Sequence, residues 1–205
     1  ITASHNPAEY NGYKAYWNDG GQVVAPHDQG IIDEVRKITS VTEIKFGGNK
    51  ENIKIIGRET DEAFLREVLK MRLNPEVISK QSEIGIVFTP IHGTGGTLVP
   101  PALKLFGFNN IITVPEQDIP DGNFPTVKSP NPEEPDAMKL AIMKAESTGA
   151  ELVLATDPDA DRLGIACKNK KGEFVLLNGN QTGALLIYYI LSQYKEKKKY
   201  KGNEY

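Results

Sequence analysis

Strand-like runs alternating with helical segments through the middle of the chain predict an α/β fold. The expected form is a three-layer α/β/α domain with a mostly parallel sheet, flanked at both ends by partial domains. Two observations carry this. Short apolar runs (Ile84–Phe88, Ile111–Val114, Leu152–Ala155) are separated by stretches with helical spacing, the pattern of strands joined by crossover helices. The last such stretch, Gly183–Leu191, is apolar nearly all round, yet no strand follows to cover it.

The elements follow in order. Tyr13–Trp17 and Gln22–Ala25 flank Asn18-Asp19-Gly20-Gly21 and predict a short hairpin, because Asp-Gly and Gly-Gly tolerate positive φ. Pro26-His27-Asp28 opens a helix through Ile31, Ile32, Val35 and Ile38, with Asp28 expected to cap its start. Residues 46–52 read as a linker. Thr60-Asp61-Glu62 begins a helix carrying Phe64, Leu65, Val68, Leu69 and Met71, with acids in the first turn where the helix dipole favours them. After Ile84–Phe88 comes a Gly-rich turn and a helix near Ala102–Phe106, then the strand Ile111–Val114. Pro115–Pro135 holds no periodic element, and Asp136–Thr148 is helical. The strands Leu152–Ala155, Leu163–Cys167 and Phe174–Leu177 precede the final helix, whose end carries five lysines between Lys195 and Lys201, expected to be solvated.

Composition bounds the function. The 205 residues carry 24 Lys+Arg against 27 Asp+Glu, a net charge of −3 with the signs interleaved, which argues against a nucleic-acid partner held by a basic face. The longest apolar run, Ala184–Leu191, is far short of the ~20 residues that span a bilayer, so no membrane partner is expected. One cysteine, Cys167, excludes an intrachain disulfide and a multi-Cys zinc site. No charged stretch leads into an apolar one in the manner of a secretion signal, and the expected location is cytoplasmic.

The sharpest chemical signal is Thr156-Asp157-Pro158-Asp159-Ala160-Asp161-Arg162, directly after the strand Leu152–Ala155. Ligands in open α/β sheets collect at carboxyl ends of strands. Three carboxylates at every second position converge on one cation if the backbone curls, and oxygen-only donors suit a hard ion such as Mg²⁺. An EF-hand is excluded, because Arg162 and Lys168 stand where Gly and Glu are required. The spacing alone leaves glycosyltransferases, aspartyl-phosphate phosphatases and a plain solvated acidic loop open. Two further stretches are ambiguous by themselves. Thr2-Ala3-Ser4-His5-Asn6-Pro7 is no hydrolase triad and reads equally as a turn before proline, and Lys14 reads equally as a strand's solvent face. His92-Gly93-Thr94-Gly95-Gly96 follows a strand, where a Gly-rich turn can cradle phosphate with backbone N–H groups, but it lacks the spacing of a nucleotide-binding loop and reads better as a tight strand-to-helix turn.

Taken together, Thr2-Ala3-Ser4-His5-Asn6-Pro7, Tyr10-Asn11-Gly12-Tyr13-Lys14 and Asp157-Pro158-Asp159-Ala160-Asp161-Arg162 resemble the α-D-phosphohexomutase superfamily of phosphoglucomutases and phosphomannomutases. Tyr13 to Gln22 and Phe124 to Glu134 look most like its phosphoglucomutase/phosphopentomutase branch. The resemblance implies a phosphoryl-bearing Ser4, with Asp157, Asp159, Asp161 and Ser4 itself as Mg²⁺ ligands. His5, Lys14 and Arg162 match positive or proton-transferring groups beside that serine. A lysine acts as general base where neighbouring cations lower its pKa, a role open to Lys14. The implied reaction is Mg²⁺-dependent conversion of glucose 1-phosphate to glucose 6-phosphate through phosphoserine and a bisphosphate, with mannose or pentose phosphates as alternatives. Family members have four domains. Residues 1–54 match the end of the first, 55–177 the whole second and 178–205 the opening helix of the third. The chain is therefore expected to be an interior slice, inactive alone or a metal-binding module. Its exposed ends await missing domains or a neighbouring chain, and the first and last dozen residues are expected to pack poorly.

Overall fold

A computed structural model describes residues 1–197; the expectations for Lys198, Lys199 and Lys201 and for the end of the chain lie outside the described residues. Five strands, β1 (Ile86–Thr89), β2 (Ile111–Thr113), β3 (Leu152–Thr156), β4 (Leu163–Lys168) and β5 (Phe174–Leu177), form one sheet in the order β2-β1-β3-β4-β5. The sheet is mixed where a mostly parallel one was expected. β1 pairs in parallel with β2 and β3, but β3–β4 and β4–β5 are antiparallel. The difference follows from connection length: only six residues separate β3 from β4, too few for the crossover that a parallel pair requires.

Six α-helices accompany the sheet: α1 (His27–Arg36), α2 (Arg58–Leu69), α3 (Pro75–Lys80), α4 (Val99–Phe106), α5 (Pro135–Thr148) and α6 (Gly179–Glu196). β1 is buried along its whole length because both of its faces are covered. On one face Val87 and Val153 join Ala137, Met138, Ala141 and Ala145 of α5, whose small residues let the helix sit close. On the other face the Phe88 ring lies beneath Gly95, in the 3₁₀ turn Thr94–Thr97 that leads into α4. The result is helix, sheet, helix. α5 ends at Gly149, whose φ of 74° closes the helix in the left-handed conformation. α6 starts at a capping box, in which Asn178 accepts from the Gln181 N–H while the Gln181 side chain accepts from the Asn178 N–H.

Three local expectations are corrected. The predicted hairpin reduces to a single bridge, Tyr16–Gln22, because neither flank continues into a sheet. Asp28 does not cap α1: Pro26 holds the cap position, and the Asp28 carboxylate accepts only from the Gln29 N–H. α3 was not foreseen; its signal, Pro75 at the first helical position after Asn74, is a helix start that six residues scarcely reveal. At the start of the chain, Thr2–His5 are half-buried and hydrogen-bonded, while Ile1, Asn6 and Ala8–Asn11 are exposed.

Candidate active site

β1 and β3 run side by side with Thr89 opposite Ala155, so both strands release their chains at the same edge. From β3 emerges the loop 157–162, which returns as β4. Its first turn closes through the Ala160 N–H donating to the Asp157 carbonyl, with Ala160 at φ 60°. A left-handed alanine is strained, and here it curls the loop so that Asp157, Asp159 and Asp161 face inward together. One carboxylate oxygen from each lies within 4.8 Å of the others.

The N-terminal segment is laid against this loop. Ser4 also has positive φ, 56°, held by its N–H donating to Thr2 Oγ1. Its hydroxyl donates to Asp157 Oδ2 at 2.7 Å and lies 3.3 Å from His5 Nδ1. Lys14 Nζ donates to Asp159 Oδ2 at 2.7 Å and Asp161 Oδ2 at 3.1 Å. Ser129 anchors the segment from below by donating to the His5 carbonyl. Residues 153 positions apart therefore meet in one site.

The charges are unequal partners. Asp157 is fully buried, and burial raises its pKa above the usual carboxylate value, although the hydrogen bonds from Ser4 and from the Arg162 N–H oppose the rise. For Asp159 burial is the largest single influence and acts upward too, but the hydrogen bonds from Lys14, Asp157 and Ser4 together with the Lys14 charge outweigh it, and the pKa falls below the usual carboxylate value. Lys14 in turn is raised well above its ordinary value by its hydrogen bonds to Asp159 and then Asp161. The groups that Lys14 Nζ reaches among the described residues are the carboxylates of Asp159 and Asp161, which favour its ammonium form. Arg162 joins the others through its backbone N–H, which donates to Asp157 Oδ1 at 3.0 Å, while the residue itself is exposed.

The donor set fits a hard divalent cation. Three carboxylates against one ammonium leave an excess of two negative charges, and Asp159 Oδ1 is buried with no hydrogen-bond partner. A buried oxygen left unpartnered within a group of three carboxylates fits a ligand for a hard cation such as Mg²⁺. Beside Ser4 and Asp159 opens a cleft of about 580 Å³, lined also by Asn6, His92, Thr94 and Asp121. The residues of this second wall, His92 to Thr94, read from sequence better as a turn than as a phosphate cradle.

The α/β/α domain carries an aspartate loop at its strand ends with a serine laid on it, and likeness to known proteins gives its family. Residues 62–172 match the family model described as phosphoglucomutase/phosphomannomutase, alpha/beta/alpha domain II, and residues 1–42 match that for domain I. The chain belongs to the phosphoglucomutase/phosphomannomutase family. It is 42% identical over 201 residues to a probable phosphoribomutase of Schizosaccharomyces pombe, covering 95% of this chain and 34% of that protein. A phosphoglucomutase of Staphylococcus aureus is 37% identical over 193 residues, covering 94% of this chain and 35% of the relative. The fold is shared with a putative phosphomannomutase from Thermus thermophilus, with a TM-score of 0.69 at 24% identity, over 94% of this chain and 40% of that one. The chain spans about a third of the length of these curated relatives. No helix among the described residues is long and apolar enough to cross a membrane.

Proposed function

We propose that this chain supplies the phosphoserine loop and the Mg²⁺ loop of a phosphosugar mutase that interconverts glucose 1-phosphate and glucose 6-phosphate. The observation that carries the reading is the 2.7 Å hydrogen bond from Ser4 Oγ to buried Asp157. A phosphoryl group on Ser4 removes the proton that Asp157 accepts and sets about two negative charges against a buried carboxylate. That arrangement is stable only with cations at hand, and Lys14 is one of them. Bound by Asp157, Asp159, Asp161 and a phosphoserine oxygen, Mg²⁺ would neutralise charge on the transferring group.

The chain's own residues do the rest. The bond from phosphorus to Ser4 Oγ breaks as one forms to a sugar hydroxyl oxygen; the departing Ser4 Oγ gains a proton, and the sugar hydroxyl loses its own. His5, with Nδ1 3.3 Å from Ser4 Oγ, is the side chain suited to take it, whereas Lys14 stays cationic and offsets charge on the phosphoryl oxygens. The resulting sugar bisphosphate then returns its other phosphate to Ser4 Oγ. Arg162, exposed beside the loop, would meet a substrate phosphate from the solvent side. The cleft beside Ser4 has room for a sugar phosphate, but no segment here encloses one, so turnover is assigned to the whole protein and metal binding to this chain.

A pentose phosphate mutase is the second reading, favoured by the 42% identity to a relative named as a probable phosphoribomutase. In the whole protein, Ser4→Ala is expected to abolish conversion of both glucose 1-phosphate and ribose 1-phosphate by at least about a thousandfold. Normal activity in that variant would refute the mechanism. The ratio of the two wild-type rates decides between the sugars.

A further inference from the structure

The turn His92-Gly93-Thr94, which leaves β1, lies directly behind the metal loop and grips the one residue in it that has no N–H. Pro158, between Asp157 and Asp159, turns its carbonyl away from the carboxylates. That oxygen accepts from the Thr94 N–H at 2.9 Å and from Thr94 Oγ1 at 3.1 Å. Gly93 sits so close that a Cβ on it would lie 2.3 Å from Pro158 Cα and 2.6 Å from its carbonyl oxygen. Both are backbone atoms and cannot step aside as a side-chain tip would. Glycine here allows two main chains to touch.

The turn is itself held rigidly. Ile91 and His92 are consecutive non-glycine residues at positive φ, 46° and 60°, a costly conformation that persists only where the surroundings impose it. They are fixed by a polar network that is buried at Thr89, Gln117 and His92 and reaches the surface at Thr126. Ile91 N–H donates to Thr89 Oγ1, and Thr89 Oγ1 donates to Gln117 Oε1 at 2.7 Å. Gln117 Nε2 donates to Thr126 Oγ1 at 3.0 Å, and that hydroxyl shares a hydrogen bond with His92 Nε2 at 2.8 Å. The His92 backbone closes the set, its N–H donating to the Gln117 carbonyl and its carbonyl accepting from the Asp121 N–H. Gln117 is fully buried and His92 nearly so, and none of these groups is required to make a strand-to-helix turn.

We infer that Gly93 and Thr94, braced by the His92–Gln117–Thr126 network, are positioning residues that fix the spacing of the Asp157 and Asp159 carboxylates by clamping the Pro158 peptide between them. The inference rests on the metal-loop reading. Three carboxylates repel one another, and a loop left free would spread them. Held at Pro158, they stay close enough to share one ion, so the rigidity of the turn becomes affinity for the cation.

The test is the affinity of the 205-residue chain for Mn²⁺, as an Mg²⁺ probe, read by the spectroscopic signal of the free ion, with thermal unfolding followed in parallel without metal. Thr94→Val keeps the backbone donor and removes the hydroxyl, and is expected to weaken Mn²⁺ binding by about 3–10-fold, the range of one hydrogen bond. Thr94→Ser is expected to restore wild-type affinity. Gly93→Ala is expected to weaken binding more than tenfold, and if it does not fold, the Thr94 pair decides alone. Wild-type affinity in folded Thr94→Val, or equal losses in Thr94→Val and Thr94→Ser, would overturn the proposal. Asp159→Ala serves as the separate check: if it binds Mn²⁺ as well as the wild type, the metal-loop reading itself has failed rather than the clamp.

Discussion

Asp157 is asked to do two things that conflict. Full burial at the end of β3 places its carboxylate where Ser4 and the cation need it, yet burial opposes its charge, and its hydrogen bonds from Ser4 and Arg162 N–H do not bring in a counter-ion. The sign of the consequence follows from linkage. A carboxyl whose folded pKa is raised contributes stability while protonated, below the unfolded value near 3.8, and that contribution is lost as pH rises through the folded pKa. At neutral pH the metal-free chain therefore carries an unrelieved cost at this residue. Asp157→Asn removes the cost while keeping the shape. The variant is expected to melt higher than the wild type without metal, by about 2–4 °C per kcal/mol regained, with the difference growing from about pH 4 to about pH 7. The same substitution is expected to weaken Mg²⁺ binding by more than tenfold. Thermal scans at the two pH values, with and without EDTA, check both halves. Asp159 behaves oppositely: its depressed pKa means its pair with Lys14 adds stability above the ordinary carboxylate range and loses it as pH falls through the lowered value.

At the level of elements, what was legible in the sequence is what burial writes twice. β1 and β3 are covered on both faces, so each is a continuous apolar run. α5 shows Met138, Ala141 and Ala145 at helical spacing because one side of it meets the sheet. The stop of α5 at Gly149 is a test of how local such signals are. Nothing lies within 4 Å of a Cβ built there, so Gly149→Ala meets no steric obstacle and is penalised only for a left-handed alanine at φ 74°. The expected loss is about 1–2 kcal/mol in urea unfolding, with metal affinity unchanged. A larger loss would mean that the helix end is packed more tightly than its open surroundings indicate. Less legible were features that depend on distant partners. The antiparallel β3–β4 pairing is set by a short loop whose length and whose curl, suited by Pro158 and Ala160, were visible, but the direction of pairing was not read from them. The setting of Lys14 was legible only through motif likeness and not locally, because the carboxylates that surround it come from 145 and 147 positions away. Ser4 and the aspartates stood out through motif likeness, whereas the His92–Thr94 turn looked like ordinary punctuation, since its role lies in a backbone contact that no residue type announces.

Across the whole molecule, the site is also a fastener. Ser4, His5 and Lys14 come from a segment whose other residues are largely exposed, and Asp157, Asp159 and Ser129 belong to the α/β domain. The chain also leaves much apolar surface uncovered, on α1 at Ile32 and Val35 and on α6 at Leu185, Ile187 and Tyr188, so less of its apolar area contributes to folding than its length would allow. In a domain whose net stability falls in the ordinary range of about 5–15 kcal/mol, an ion that binds only the folded arrangement is a substantial fraction of the total. Free Mg²⁺ at about a hundred times its dissociation constant adds about 2.7 kcal/mol. For a chain of this size that corresponds to a rise in Tm of about 5–11 °C. The unfolded chain keeps Asp157, Asp159 and Asp161 close in sequence and retains weak affinity, which places the expected shift toward the lower end of that range. EDTA should reverse the shift completely, and Asp159→Ala should show none. Lys14→Met should still shift, because the lysine supplies charge and not a ligand atom. An equal rise in wild type and Asp159→Ala would mean that the cation stabilises the chain from somewhere other than this loop.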